Sequence, residues 1–141
     1  MKVHLLGSNQ ELDGVAKVLL QLRPQYSSAT IIEQIKQQQQ SGYQLAYVTE
    51  KGEVTCVAGF VVGEKLAWGK HIYIDDLVTC EQHRSTGAGS LLINWLKDYG
   101  QQIGAKQLHL DSGVQRFPAH RFYLRERFDI ASHHFSFSID S

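Results

Sequence analysis

Between residues 43 and 79 the apolar residues switch to a period of two, and that switch limits the fold more than any other feature of the chain. Residues 43–49 and 54–62 are rich in β-branched and aromatic side chains, and Glu50-Lys51-Gly52-Glu53 between them reads as a hairpin turn. Gly63-Glu64-Lys65 reads as a second turn, and residues 66–79 contain a third long strand. Three antiparallel strands in succession need a cover for each apolar face. The flanking segments supply helices for it.

Before the strands, residues 2–6 alternate weakly, as a first strand would. Ser8 and Glu11 read as a capping box ahead of Leu12, Val15, Ala16, Leu19 and Leu22 at helical spacing, with Pro24 ending that helix. Thr30 and Glu33 read as a second box, for a helix with Ile31, Ile32 and Ile35 on its apolar stripe. The glutamine tract 37–40 is its solvated tail, and Gly42 its C-cap. After the strands, Leu91, Leu92, Trp95, Leu96, Tyr99 and Ile103 form a broad stripe closed by Gly104. Residues 106–111 read as a short strand, and Pro118 opens a helix running to about Arg125. Residues 128–130 and 134–139 read as closing strands; Phe135, Phe137 and Ile139 alternate. A crossover through the helix at 91–103 makes its flanking strands parallel. The expectation is an α/β fold over residues 1–141, one domain, with a mixed, mostly antiparallel twisted sheet and helices on both faces.

Composition narrows the function. Fourteen Lys+Arg against fourteen Asp+Glu in 141 residues give no basic excess, which speaks against a nucleic-acid partner. No apolar run reaches the roughly 20 residues needed to cross a bilayer, so no membrane partner is expected. The N-terminal stretch lacks a secretory pattern, and Cys56 and Cys80 form no disulfide framework, so the expected compartment is the cytoplasm. His109, His120, His133 and His134 match no metal-ligand spacing, and no metal is expected.

The most informative segment runs from Asp75 to Leu92. A strand enters a loop with two glycines, and the loop opens into an amphipathic helix. Such an arrangement points free backbone N–H groups and the positive helix end at an anion. A P-loop would need Lys and then Ser/Thr after the last glycine, but Ser90 and Leu91 stand there. A dinucleotide fingerprint would need a small residue at Leu92 and a leading βαβ unit. The pattern left is Arg-x-x-Gly-x-Gly at Arg84, Gly87 and Gly89, which is either a phosphate cradle or a glycine-rich helix entry without a ligand.

Here the chain resembles the GNAT superfamily of acetyl-CoA-dependent N-acetyltransferases, most clearly over residues 72–128. The features are Arg84-Ser85-Thr86-Gly87-Ala88-Gly89, its place between a strand and a helix starting with Leu91-Leu92, and Ala119-His120-Arg121-Phe122-Tyr123 followed by Phe128. Arg127 stands where the family usually has glycine, and the proline common before the loop is missing. The resemblance implies a GNAT-like sheet splayed at a central parallel strand pair. It implies acetyl-CoA as co-substrate, with backbone groups of Asp76, Leu77 and Val78 on its pantetheine arm. Arg84, Ser85, Thr86, Gly87, Ala88, Gly89 and Ser90 would lie around its pyrophosphate. Residues 22–40 fall where the family varies its acceptor site.

Acetyl transfer to an amine needs a base, because an ammonium of pKa near ~10 is no nucleophile, an oxyanion donor and an acid for the thiolate. The resemblance nominates Tyr123 as acid and Asp111 as base, with Asp111 as a turn former the other reading, and the Val78 N–H as oxyanion donor. Asp75 and His120 are candidates for binding the acceptor, and strict alternation breaks at Asp75-Asp76, as at a bulge. The expected acceptor is a small-molecule or peptide amine, and the expected assembly includes a homodimer. The alternative function is a catalytically silent acyl-CoA-binding or regulatory module.

Overall fold

A computed structural model describes residues 1–7 and 12–140. The elements are β1 (Lys2–Leu5), α1 (Leu12–Leu22), α2 (Ser28–Gln39), β2 (Gln44–Glu50), β3 (Glu53–Lys65), β4 (Gly69–Thr79), α3 (Ala88–Gln102), β5 (Gln107–Leu110) and α4 (Phe117–Arg125), with a 3-10 turn at Glu81–His83. They group into two compact units, Met1–Leu110 and Asp111–Ser141. Ser8 and Glu11, the first expected capping box, lie outside the described residues.

The larger unit holds the sheet, in the order β1-β2-β3-β4-β5. The first four strands pair antiparallel and β4 pairs parallel with β5, as the crossover requires. Strand alternation divides the core between two faces. Leu45, Tyr47, Val57 and Val78 pack with Val15, Leu19, Ile31 and Ile35 of α1 and α2. The intervening residues Ala46, Val48, Cys56, Ala58, Phe60, Ile72 and Ile74 are also buried, and they turn to α3. There the Phe60 ring meets Tyr99 edge-on at 5.9 Å, and Gly100 admits Ile72 against the helix. Helices therefore cover both faces, as expected.

Four local expectations change, the first being the turn at Gly63-Glu64-Lys65, which lies within β3 because the strand runs on to Lys65. Helix α2 starts earlier than Thr30-Glu33 suggests, because Ser27 is its N-cap: Thr30 N–H donates to Ser27 Oγ and Ser27 N–H to Thr30 Oγ1. A serine three residues upstream offers the same reciprocal pair with threonine in place of glutamate. The expected strands at 128–130 and 134–139 are absent: no strand occurs among the described residues after Leu110. Phe135, Phe137 and Ile139 are exposed at 89%, 89% and 93%. A period of two fixes which face is apolar but supplies no neighbouring strand to pair with. In consequence the parallel β4–β5 pair stands at the edge of the described sheet, not at its centre.

The smaller unit shows how the chain copes with arginine in place of glycine. Past α4, Phe128 N–H donates to Tyr123 O (3.0 Å) and Arg127 N–H to Leu124 O (3.1 Å). This is the Schellman closure, and it puts Arg127 at the left-handed position, with φ 72°. The Phe128 ring caps Tyr123 edge-on at 5.9 Å, the apolar contact that accompanies the motif. The turn forms despite the Cβ, at the cost of local strain. Replacing Arg127→Gly is expected to raise unfolding free energy by up to ~1 kcal/mol, the left-handed relief less the extra entropy of glycine. Urea denaturation checks this; unchanged or lower stability would show that the arginine side chain offsets its own strain.

Candidate functional site

The site begins at an irregularity in β4. Gly59 pairs with Asp76 but Phe60 pairs with Ile74, so Asp75 is an extra residue in β4. This is the bulge expected at Asp75-Asp76, and it breaks alternation so that both carboxylates line one cavity on the α1–α2 side. At the same point β4 loses its other neighbour. The ladder to β5 ends at Ile74–Leu110, while β4 continues to Thr79 beside β3 alone. Past the bulge, the outer edge of β4 has no strand partner among the described residues.

Which peptide groups face that open edge follows from strand parity. Cys80 N–H donates to Thr55 O (2.7 Å), so these two form a hydrogen-bonded pair. In an antiparallel ladder such pairs alternate, so Val78 and Asp76 also turn their peptide groups to β3. Those of Leu77 and Thr79 turn to the open edge. The Val78 N–H, expected as oxyanion donor, is therefore committed to the sheet, and among Asp76, Leu77 and Val78 only Leu77 presents its backbone outward.

The open edge leads into the glycine loop. Gln21 of α1 anchors the approach: its Oε1 accepts from Glu81 N–H (3.0 Å), and its Nε2 lies 3.4 Å from Cys80 Sγ. Thr86 donates to His83 O (2.7 Å), Ser85 has φ 66° and Gly87 has φ 91° at the N-cap of α3. Gly87 makes no side-chain cap, and the first helical bond runs from Leu91 N–H to Gly87 O (3.0 Å). The Ala88 and Gly89 amides thus have no intrahelical acceptor and point along the helix dipole. Apart from Gly87, Ala88 and Gly89, the loop contributes the exposed guanidinium of Arg84. This donor set suits a multiply charged phosphate group.

On the other side of the bulge lies a cavity of about 250 Å³, walled by α1, α2, their linker and β4. Asp76 is held there from two directions. Arg23 Nε and Nη2 each lie 2.9 Å from Asp76 Oδ1, and Tyr43 Oη donates to Oδ2 at 2.6 Å. Arg23 Nη2 also donates to Asp75 O (3.2 Å), tying the bulge to α1. The Tyr43 ring fits only because residue 59 is glycine; a Cβ there would collide with the Tyr43 hydroxyl. Burial and the neighbouring Asp76 carboxylate push the Tyr43 pKa far up, so its hydroxyl stays a donor throughout the working pH range. Burial, then the charge of Asp76, also raises Asp75, while Arg23 opposes them.

The remaining candidates sit in the smaller unit. Asp111 Oδ2 faces His134 Nδ1 at 3.5 Å. His120 Nε2 lies 2.7 Å from Gly113 O, so that nitrogen carries the proton and spans the turn before α4. Tyr123 lies in the last turn of α4, between Phe122 and Phe128. In the larger unit, burial pushes the Cys56 thiol up to about 11, which leaves it unreactive. Sequence reasoning missed Arg23, Tyr43, Gly59 and Thr79. Arg23 and Tyr43 meet the bulge only through side-chain pairings 53 and 33 residues apart in sequence, Gly59 meets it through the strand pairing with Asp76, and strand parity needs a register.

The chain matches the family described as Acetyltransferase (GNAT) family over residues 14–128. It is 30% identical over 119 residues to an uncharacterized N-acetyltransferase, YhdJ, of Bacillus subtilis, with 84% of each chain covered. It is 37% identical over 65 residues to the aminoalkylphosphonate N-acetyltransferase of Salmonella typhimurium, a stretch covering 46% of this chain and 41% of that one. In fold it is similar to an aminoglycoside N-acetyltransferase solved in complex with CoA, with a TM-score of 0.83 at 12% identity, covering 99% of this chain and 95% of that one. The chain belongs to the GNAT family and is an acetyl-transferring acyltransferase. No helix among the described residues is long and apolar enough to cross a membrane.

A raised carboxyl pKa implies a stability change whose sign can be worked out. The folded state holds the Asp75 proton more tightly than the unfolded chain. That stabilisation is full below the ordinary carboxyl pKa and is lost as pH rises through the raised one. Ionised Asp75 therefore destabilises the fold at neutral pH. Asp75→Asn is expected to raise Tm at pH 7 and to leave it unchanged near pH 3. Thermal melts across that range check it; a lower Tm at pH 7 would mean Asp75 has a partner that stabilises its charge.

Proposed function

We propose that the chain, residues 1–141 acting as one domain, transfers the acetyl group of acetyl-CoA to a primary amine by direct attack in a ternary complex. The observation that carries this reading is the unpaired edge of β4 past Asp75, which runs straight into the amides at the start of α3. The first suits the amide-bearing arm of CoA and the second its pyrophosphate. The cavity on the other side of the bulge suits the acceptor, so the two substrates would meet at Asp75–Leu77. The relatives' names offer two kinds of acceptor, aminoalkylphosphonates and aminoglycosides.

In the proposed reaction the amine first loses a proton, to the Asp111 carboxylate directly or through water. Its lone pair attacks the thioester carbonyl carbon, a C–N bond forms, and the carbonyl electrons shift onto oxygen, where the Leu77 N–H is the donor. The carbonyl re-forms as the C–S bond breaks, the nitrogen gives up its second proton to water, and the leaving thiolate takes a proton from the Tyr123 hydroxyl, which solvent restores. The balance is an ammonium and a thioester consumed, an amide, a thiol and one proton released. A silent binding module would keep the loop's affinity and release no thiol.

Two sets of variants test this. Gly87→Val forces a branched side chain into φ 91°, and Arg84→Glu reverses the charge at the loop. Each is expected to weaken CoA binding at least about tenfold by calorimetry, with the fold intact by circular dichroism; wild-type affinity in both would refute the loop assignment. Tyr123→Phe removes only the hydroxyl, and kcat should fall by about 10²–10⁴ with CoA binding retained. Asp111→Asn should lose most activity near neutral pH and regain part of it as the amine deprotonates at higher pH. A rise in KM alone, or a loss of Tm alone, would reassign Asp111 to binding or to the turn.

A further inference from the structure

We propose that the cavity beside the bulge selects primary amines whose remaining polar groups are uncharged, such as amino alcohols and amino sugars with one ammonium, and rejects amines that also carry a phosphonate or carboxylate. The proposal rests on the acetyltransferase reading above and adds to it the chemical class of the acceptor.

The argument is a count of charges that are already matched. The charged residues lining the cavity are Arg23, just past the end of α1, and Asp75 and Asp76 from β4. Helix α2 lines it with neutral groups alone, Gln34 and Gln38 among them, and the linker adds Gln25 and the Tyr26 phenol. Tyr43, the other titratable group, is held protonated. The charge of Arg23 is matched: Nε and Nη2 bond Asp76 Oδ1, and Nη2 also bonds the Asp75 carbonyl. Asp76 is matched as well, with Arg23 on one oxygen and Tyr43 on the other. Asp75 has no hydrogen bond to its carboxylate among the described residues, and it is the one formal charge in the cavity without a counterion.

A net charge of minus one, placed at the bulge, suits a single ammonium. It also puts that nitrogen next to Leu77, where the acetyl carbon would lie. An anionic group on the acceptor would meet two carboxylates and no free cation, and drawing Arg23 away would leave Asp76 half-buried and unpaired. The amides have donors and acceptors to spare. Gln34 Nε2 donates to Gln38 Oε1 (3.0 Å), which leaves the Gln34 carbonyl and the Gln38 amino group for hydroxyl or amide groups of the acceptor.

The test uses the full-length protein and matched amines: ethanolamine and glucosamine against 2-aminoethylphosphonate and β-alanine. Initial rates are followed by thiol release from acetyl-CoA, and binding of the same amines is followed by calorimetry with and without CoA. The neutral-bodied member of each comparison should lead in kcat/KM and in affinity by about tenfold or more. Equal or better use of the anionic members overturns the selectivity. Binding in the expected order with no thiol released supports the selectivity and instead defeats the transferase reading. Asp75→Asn should raise KM for the neutral-bodied amines about tenfold while kcat changes little; an unchanged KM overturns the role of Asp75. Gln34→Arg places an unmatched guanidinium in the cavity without touching the Asp76 pairing, and should shift the preference toward 2-aminoethylphosphonate by about tenfold. No shift, in a variant whose Tm matches wild type, argues against charge matching as the basis of choice.

Discussion

One extra residue in β4 organises the molecule's chemistry. Without Asp75 as a bulge, Asp75 and Asp76 would point to opposite faces, and one of them would enter the α3 side among Phe60, Ile74 and Leu92. A carboxylate there would be buried without a counterion. The bulge keeps both on the α1–α2 side and falls one residue past Ile74, where the ladder to β5 ends. The cavity and the open strand edge thus meet at the same two peptides.

A bulge costs ladder hydrogen bonds, so something must hold it. Arg23 does this from the end of α1, one residue past its last turn, reaching both the Asp75 carbonyl and the Asp76 carboxylate. Tyr43 supplies the second hold, and it can do so only over the bare Cα of Gly59. Three elements distant in sequence therefore converge on one carboxylate whose side chain is 15% exposed. A partly buried ion pair with few spare partners fixes geometry more than it adds stability. Its role here is to leave Asp75 alone unmatched. The raised pKa of Asp75 expresses the same fact, as a charge kept partly desolvated beside another of like sign.

Much of this was legible in the sequence where the signal is local. The switch to period two gave the three antiparallel strands, and the stripe from Leu91 to Ile103 gave α3. The break of alternation at Asp75-Asp76 marked the bulge, and the two loop glycines marked the start of α3. What stayed hidden depends on register or on pairing across distance. Arg23 and Asp76 are 53 residues apart, and nothing near either names the other. The resemblance nominated the Val78 N–H as a backbone donor, but parity with Cys80 turns it into the sheet. At the C-terminal end the alternation of Phe135, Phe137 and Ile139 showed a face and could not show whether a strand lies beside it.

The division of labour around the bulge has a consequence for how such a chain can change. The loop side works through backbone: the peptide groups of Leu77 and Thr79, the amides of Ala88 and Gly89, and the left-handed Gly87. Few substitutions alter these, and those that do change the backbone path itself. The cavity side works through side chains on α1, on α2 and in their linker, and its charge balance rests on three residues. Exchanging one amide of α2 for a cation would change the acceptor it matches without moving the bulge. A mutation of Arg23, Tyr43 or Gly59 instead reaches both sides, because each acts on the peptides they share. On the proposed reading, acceptor choice is therefore free to drift along α2, while the grip on Asp76 and the path of the loop are fixed by the geometry of transfer.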